Sequence, residues 1–401
     1  MAQTEKIAGV VAETGRPGAR GWLAVAAVAG ATFTVVTSEM LPVGLLTPIG
    51  DALNVTEGTA GLTLTVTGLV GAVSAPLLTP AFGRFDRRLV LCVLMAVLTF
   101  GNLLAAWAPG FGVMIAARVL VGVGMGGVWS IAAGLAVRLV PGKSVAPATS
   151  LVFSGIAVAS VLGVPAGTYI GELADWRTAF LTLAGLALVV LVALAVLLPA
   201  LPAEQDIRVA GVMRLAGNPR VATGLAVVAL LVTGHFAAYT YVRPALEEIS
   251  GASAAAIGTL LLVYGVAGVL GNFAAGSSAG RSPRRTLVAI SLVLAATIGL
   301  LPLLGGSVMT AAALLAVWGL SYGGVSVSTQ TWLLTAAPRA REAASSLFVG
   351  VFNGAIALGA LVGGLVADGA GLEPVMWTGG ALAAGALAVT ALGRAPESGR
   401  L

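Results

Sequence analysis

Twelve apolar stretches, each long enough to cross a bilayer, leave this chain almost no residues for anything else. They fall at 22–48, 59–81, 89–108, 111–137, 146–170, 178–200, 221–244, 254–277, 286–305, 308–336, 343–367 and 374–393. A spanning helix needs about 20 residues, so the 401 residues are nearly consumed and no separate soluble domain fits. Charged residues make up 9% of the chain and hydrophobic ones 58%, whereas a soluble domain carries about 25% charged residues. The expected class is an all-α polytopic membrane protein. Cys92 is the single cysteine, so neither an intramolecular disulfide nor a cysteine zinc cluster can form.

A net charge of +5 would suggest nucleic acid as the partner of a soluble chain. Here the positive charge follows topology instead. With the first twenty residues on the cytoplasmic side, Lys6, Arg16, Arg20, Arg84, Arg87, Arg88, Arg138, Lys143, Arg208, Arg214, Arg220, Arg281, Arg284, Arg285, Arg339, Arg341, Arg394 and Arg400 share that side. Only Arg177 and Arg243 fall outside, and Arg118 lies within a span. This is the positive-inside bias of a correctly counted topology, and it predicts both termini in the cytoplasm. The opening MAQTEKIAGVVAETGRPGAR has no apolar core and does not read as a cleaved signal peptide. The excess of Arg over Lys, with abundant Ala, Gly and Val, suggests a bacterial, GC-rich source.

The chain repeats itself. Gly83-Arg84-Phe85-Asp86-Arg87-Arg88, between spans 2 and 3, recurs 197 residues later as Gly280-Arg281-Ser282-Pro283-Arg284-Arg285, between spans 8 and 9. At the same offset Gly122, Gly126, Gly127 and Val128 of span 4 match Gly319, Gly323, Gly324 and Val325 of span 10. A shift by six helices preserves orientation, so the expected architecture is two parallel six-helix pseudo-repeats, an arrangement described for major facilitator transporters. The expected divisions are a tail at 1–20, an N-terminal half at 21–200, a linker at 201–220, a C-terminal half at 221–393 and a tail at 394–401.

Several motifs, in order and on the matching helices, resemble this superfamily. The GRFDRR segment is similar to its loop signature GxLaDRxGRR, with Gly83 where the Asp belongs and Asp86 where the second Gly belongs. Arg118, Gly122 and Gly124 resemble the RxxxGxG motif of proton-coupled members. Gly155, Gly163, Pro165, Gly167 and Gly171 resemble the glycine-proline motif of exporters, and Asp175-Trp176-Arg177 continues into the usual start of span 6. The segments around Glu39-Met40-Leu41-Pro42 and Gly234-His235-Phe236 look like the arabinose and sugar efflux branch of the twelve-helix drug:proton antiporters. The resemblance implies efflux by antiport across the cell membrane, with drug resistance among the possible roles.

Removing loop charges leaves two ionised side chains inside the spans, Glu39 and Arg118. A charge at the bilayer centre costs at least about 2.5–3.5 kcal/mol, so each needs a partner or a wet cavity. Both lie about 12–16 Å from the outer ends of their helices at 1.5 Å per residue, and a pair between them is geometrically possible. Glu39 is the candidate proton carrier. Arg118 cannot plausibly give up its proton and would tune the site; a fixed structural ion pair is the alternative.

His235 is the only histidine, so no metal site is expected; ordinary packing and contact with a ligand both fit it. With Phe236, Tyr239 and Tyr241 it gives span 7 an aromatic and polar face suited to an amphipathic solute. Trp129, Trp318, Tyr322, Gln330 and Asn353 are further cavity candidates. A conformational role is expected for the small residues Gly122, Gly124, Gly163 and Gly167 and for Pro165, which let helices approach or bend. The same is expected of the loop residues Gly83, Arg84, Asp86, Arg87, Arg88, Arg281, Arg284 and Arg285, which otherwise serve as topology determinants.

The leading expectation is proton-coupled efflux of a small organic molecule (a drug, natural product or sugar) by alternating access of a monomer in the bilayer. The proton gradient supplies the energy and no cofactor is needed. An uptake symporter on the same fold is the alternative. A polytopic membrane enzyme would need a dense acidic, histidine or metal constellation at one face, which the sequence lacks.

Overall fold

The computed structural model describes residues 19–81, 85–141, 144–202, 215, 217–338 and 340–394. Those residues form helices and connecting turns, with no strand among them. Twelve helices are long and apolar enough to cross a membrane, and they match the twelve stretches of the sequence. We number them α1 (Ala19–Leu53), α2 (Glu57–Ala81), α3 (Arg87–Ala106), α4 (Phe111–Leu139), α5 (145–173), α6 (Trp176–Leu197), α7 (219–250), α8 (Ala254–Ala279), α9 (Pro283–Leu304), α10 (Val308–Ala336), α11 (Arg341–Ala370) and α12 (Leu372–Leu392). Large apolar side chains such as Leu188, Val189 and Val196 of α6 and Leu303 of α9 are exposed. A soluble protein does not present such a surface; here it is the lipid face.

The breaks in four of these helices are written in the sequence. In α1 the helix Ala19–Met40 passes into a 3₁₀ turn at Leu41–Leu45 before Leu46–Leu53, because Pro42 has no N–H to continue the ladder. In α5 a π-turn at Ala159–Gly163 precedes Pro165, a usual way for a helix to absorb a proline. The chain bends at Thr240–Tyr241 in α7, just ahead of Pro244, and at Gly324 in α10. Asp175 caps α6, accepting from the Thr178 backbone N–H at 2.6 Å and its hydroxyl at 2.8 Å. Those bonds hold its carboxyl below the usual range.

The offset of 197 is physical. A Cβ on Gly122 would meet the Thr67 carbonyl at 2.8 Å, and Gly319 is pressed on the Tyr264 carbonyl in the same way. Likewise Gly126 abuts the Gly71 carbonyl and Gly323 the Gly268 carbonyl. Each pair is separated by 197, so α2 packs on α4 as α8 packs on α10, through glycines that admit close backbone approach. The left-handed residues that end α1 and α7, Asn54 (φ 54°) and Gly251 (φ 59°), repeat at the same spacing; Asn and Gly tolerate that conformation best.

The loop signature behaves differently from the sequence pairing. Arg88 donates to the Ala195 carbonyl and Arg284 to the Ala391 carbonyl, so the structural equivalent of Arg284 is Arg88 and not Arg87. The helices that carry them begin at Arg87 and Pro283, one residue out of the 197 register. Asp86, sitting where the family has Gly, caps α3 through the Arg88 N–H at 2.8 Å and accepts the Leu201 N–H at 3.0 Å. The Arg87 N–H returns a bond to the Leu201 carbonyl at 2.9 Å. The loop thus ties α3 to the end of α6 within one half. Arg281, Arg284 and Arg285 are exposed. Gly83 and Arg84 lie outside the described residues, as do the tail 1–18, most of the linker and residues 395–401.

Twelve alternating spans put Ala19 and Arg394 on one face, here the termini face. The halves meet along α2–α11 and α5–α8, and their hydrogen bonds gather at the opposite face. Asp368 accepts from the Gly58 N–H at 2.9 Å and the Thr56 hydroxyl at 2.8 Å. Arg243 donates to the Gly44 carbonyl at 2.6 Å and to Glu247 at 3.0 Å, while the Thr47 hydroxyl donates to Glu247 at 2.7 Å. Toward the termini face, a Cβ at Gly350 or Gly354 of α11 would meet nothing within 4 Å.

Candidate functional site

Pro42 explains the position of Arg118. The Ser38 carbonyl would accept from residue 42 in a continuous helix, but proline cannot donate. Arg118, fully buried in α4, supplies the missing donors. Its Nη2 reaches the carbonyls of Ser38 at 2.9 Å and Glu39 at 3.2 Å, and its Nε reaches the Thr63 carbonyl at 3.1 Å. The guanidinium therefore pins α1 to α2 at the point where α1 changes course.

The ion pair that their equal depths allow is not formed. Glu39 and Arg118 are near enough to interact electrostatically, yet the guanidinium bonds the Glu39 backbone carbonyl and not the carboxylate. Glu39 is buried, and its Oε1 has no hydrogen-bond partner; neither has Arg118 Nη1. Two neighbours are in the same condition: Thr37 Oγ1, two residues before Glu39, and Asn102 Oδ1. Asn102 of α3 donates to the Ser38 hydroxyl at 3.0 Å and the Leu98 carbonyl at 2.9 Å. Most buried polar atoms in proteins are paired, so unpaired ones beside a buried carboxyl make this region the candidate site.

Removing the clamp has a predictable cost. Arg118→Ala strands three buried carbonyls, and bonds to a charged donor contribute about 1.5–3 kcal/mol each. We expect a clear fall in melting temperature of the detergent-purified protein, larger than for Glu39→Gln, whose Oε1 has no hydrogen bond to lose. Equal melting temperatures for the two variants would refute the clamp.

The C-terminal half contributes rings. His235, buried in α7, stacks on Tyr322 of α10 with centroids 3.3 Å apart and on Tyr239 at 4.9 Å. Tyr264 of α8 stacks on Tyr239 at 4.7 Å, and Phe236 and Trp318 meet His235 edge-on at 4.8 and 5.7 Å. The edge-on contacts and the Tyr239–Tyr264 stack fall in the range favoured for aromatic pairs. Trp318 Nε1 donates to His235 Nδ1 at 3.0 Å, and the Tyr264 hydroxyl lies 3.4 Å from His235 Nε2. The Tyr322 hydroxyl has no partner, and Tyr322 lies within electrostatic reach of Glu39. The carboxyl of one half and the ring cluster of the other therefore face a common region.

The structure gathers His235, Phe236, Tyr239, Trp318 and Tyr322 but sends other candidates elsewhere. Tyr241 is wedged between the halves, its hydroxyl donating to the Ala360 carbonyl at 2.9 Å and its ring packed beside Gly363; the break at Thr240–Tyr241 turns it away from its neighbours. Trp129 packs against the apolar core of the N-terminal half. Asn353 donates to Val349 within its own helix at 2.9 Å, and Gln330 is half-buried in the second segment of α10. Gly124 faces Leu94 and Leu98 of α3, and Gly163 and Gly167 face Thr37 and Leu41 of α1, so with Pro165 they set packing within the half. Tyr264 and Asn102 escaped the sequence reading. Each is a polar side chain in an otherwise apolar run, the one signal that could have found them.

A family model described as Major Facilitator Superfamily matches residues 28–339 and 224–400. The chain is 36% identical over 382 residues to "Transcription regulatory protein OpdE" of Pseudomonas aeruginosa, covering 94% of this chain and 95% of that one. It is 32% identical over 371 residues to "Purine ribonucleoside efflux pump NepI" of Escherichia coli K12, covering 92% and 94%. Among solved structures it resembles a bacterial homologue of the human lysosomal transporter Spinster in an inward-facing, occupied conformation. There the TM-score is 0.77 at 15% identity, covering 94% of this chain and 97% of the other. It also resembles a mutant of the nucleoside transporter NupG, with a TM-score of 0.76 at 12% identity, covering 92% and 99%. The twelve-helix pseudo-repeat, the family match along the chain and the full-length relatives agree: this chain belongs to the Major Facilitator Superfamily.

Proposed function

We propose that this chain exports a small, uncharged, planar solute of the purine nucleoside type from the cytoplasm, in exchange for protons. The observation that carries the reading is the opposition of a stacked ring cluster (His235, Tyr239, Tyr264, Trp318 and Tyr322) and a single buried carboxyl, Glu39. Flat rings offer stacking surface to a nucleobase, and the hydroxyl and amide groups offer polar contacts to a ribose. A lone titratable carboxyl at the same region supplies a proton site whose occupancy competes with the solute. The purine nucleoside named for one relative has this chemistry. The charge bias of the loops supports a termini face turned toward the cytoplasm, the compartment from which an exporter loads. We read the chain as a monomer that works without a cofactor.

Everted membrane vesicles with an acidic lumen test this. Labelled inosine or guanosine should accumulate inside, collapse when the gradient is dissipated, and be competed by unlabelled nucleoside but not by a sugar. Accumulation only under the reversed gradient would make the chain an uptake symporter, and competition by a sugar alone would remove the ring cluster from substrate recognition.

A further inference from the structure

Proton-coupled transport invites every buried titratable group to be counted as a carrier, and His235 is the obvious second candidate after Glu39. Its hydrogen bonds argue otherwise. An indole N–H is a donor only, and an imidazolium has two donors and no acceptor. Trp318 Nε1, 3.0 Å from His235 Nδ1, therefore requires an unprotonated Nδ1. The remaining proton must sit on Nε2, which points at the Tyr264 hydroxyl 3.4 Å away. The bonds then run one way, from Trp318 through His235 to the Tyr264 oxygen.

We propose that Trp318 locks His235 as the neutral Nε2–H tautomer, making it a positioning residue that fixes the ring cluster and takes no part in carrying protons. Protonating Nδ1 would set two N–H groups against each other inside a buried cluster, with no room for His235 to turn between the stacked rings of Tyr322 and Tyr239. The groups that face it are Tyr264 from α8, Trp318 and Tyr322 from α10 and Phe236 and Tyr239 from α7. The carboxyl of Glu39 of α1 reaches the cluster electrostatically at Tyr322. No acidic side chain hydrogen-bonds the imidazole among the described residues. One consequence concerns recognition: with its oxygen engaged by His235, Tyr264 keeps its hydroxyl proton to give. The cluster thus offers donors, from Tyr264 and from the unpartnered Tyr322 hydroxyl, to acceptor atoms on a bound solute. Only this consequence rests on the transport reading above.

The chain's single histidine makes the test direct. Protein labelled with ¹⁵N-histidine, purified through a tag free of histidine and placed in nanodiscs, gives one imidazole to observe by NMR from about pH 8 to about pH 5, the range that spans ordinary histidine titration. We expect the neutral Nε2–H pattern throughout. Trp318→Phe should release the lock, so that the neutral imidazole also populates the Nδ1–H tautomer. An Nδ1–H tautomer, or an imidazolium in the unaltered protein at about pH 6, would overturn the proposal. So would Trp318→Phe leaving a folded protein with the Nε2–H pattern unchanged. The NMR readout needs no substrate, so it stands or falls apart from the assignment of transport.

Discussion

Glu39→Gln is expected to abolish accumulation of solute against its gradient while leaving exchange of solute across membranes at equal pH. Glutamine keeps the size and polar character of the side chain but has no titratable proton, and Glu39 Oε1 makes no hydrogen bond that the substitution would break. Folding should therefore be nearly unchanged. The loss in concentrative transport should be complete to the limit of detection, because no other carboxyl lies among the unpaired polar atoms near Arg118. Counterflow, in which labelled solute enters vesicles preloaded with unlabelled solute, needs only the rocking of the halves and should persist. Concentrative transport surviving in Glu39→Gln would show that the proton takes another route.

The second large effect is expected at the seam between the halves. A Cβ on Gly265 of α8 would stand 2.8 Å from Val161 Cα and 2.9 Å from the Ser160 carbonyl of α5. These are backbone atoms of the other half, in the π-turn region. Overpacking costs about 1–3 kcal/mol, which is about one to two powers of ten in an equilibrium. Gly265→Leu should therefore disfavour the arrangement closed at the face opposite the termini and open that face. Spin labels placed on the exposed Asp51 and Glu248 should report a longer distance than in the unaltered protein, with transport reduced at least about tenfold. Gly122→Leu is the control. Its Cβ would meet the Thr67 carbonyl and Val70 Cβ at 2.8 Å, both in its own half, so it should lower thermal stability without lengthening that distance. An unchanged Asp51–Glu248 distance in Gly265→Leu would mean that the α5–α8 seam does not report the alternation.

Much of this protein is legible in its sequence because the bilayer admits few solutions. Long apolar runs must be helices, basic residues sort by side, and the glycines of α4 and α10 betray the repeat because their partners are backbone carbonyls that no side chain could approach so closely. Glu39 and Arg118 stand out because charge is rare there. What escaped was how they are held. The sequence shows two opposite charges at one depth and suggests a pair; the structure shows Arg118 engaged by carbonyls, one of them freed by Pro42, a consequence of helix geometry three to four residues away. Tyr241 was misread for a related reason, since the sequence shows only another aromatic side chain on the same span and the break at Thr240–Tyr241 sends it into the seam. Tyr264 joins His235 across 29 residues, and that proximity exists only once α7, α8 and α10 have packed.

The central claim is that solute and proton compete through Glu39, and binding affinities so coupled must be reciprocal. The most direct measurement is proton release by purified protein in weakly buffered detergent, followed with a pH indicator as inosine is added near neutral pH. Release that saturates with inosine and disappears in Glu39→Gln, with inosine binding retained, is the predicted result. Inosine binding without release, or release undiminished in Glu39→Gln, would contradict the account.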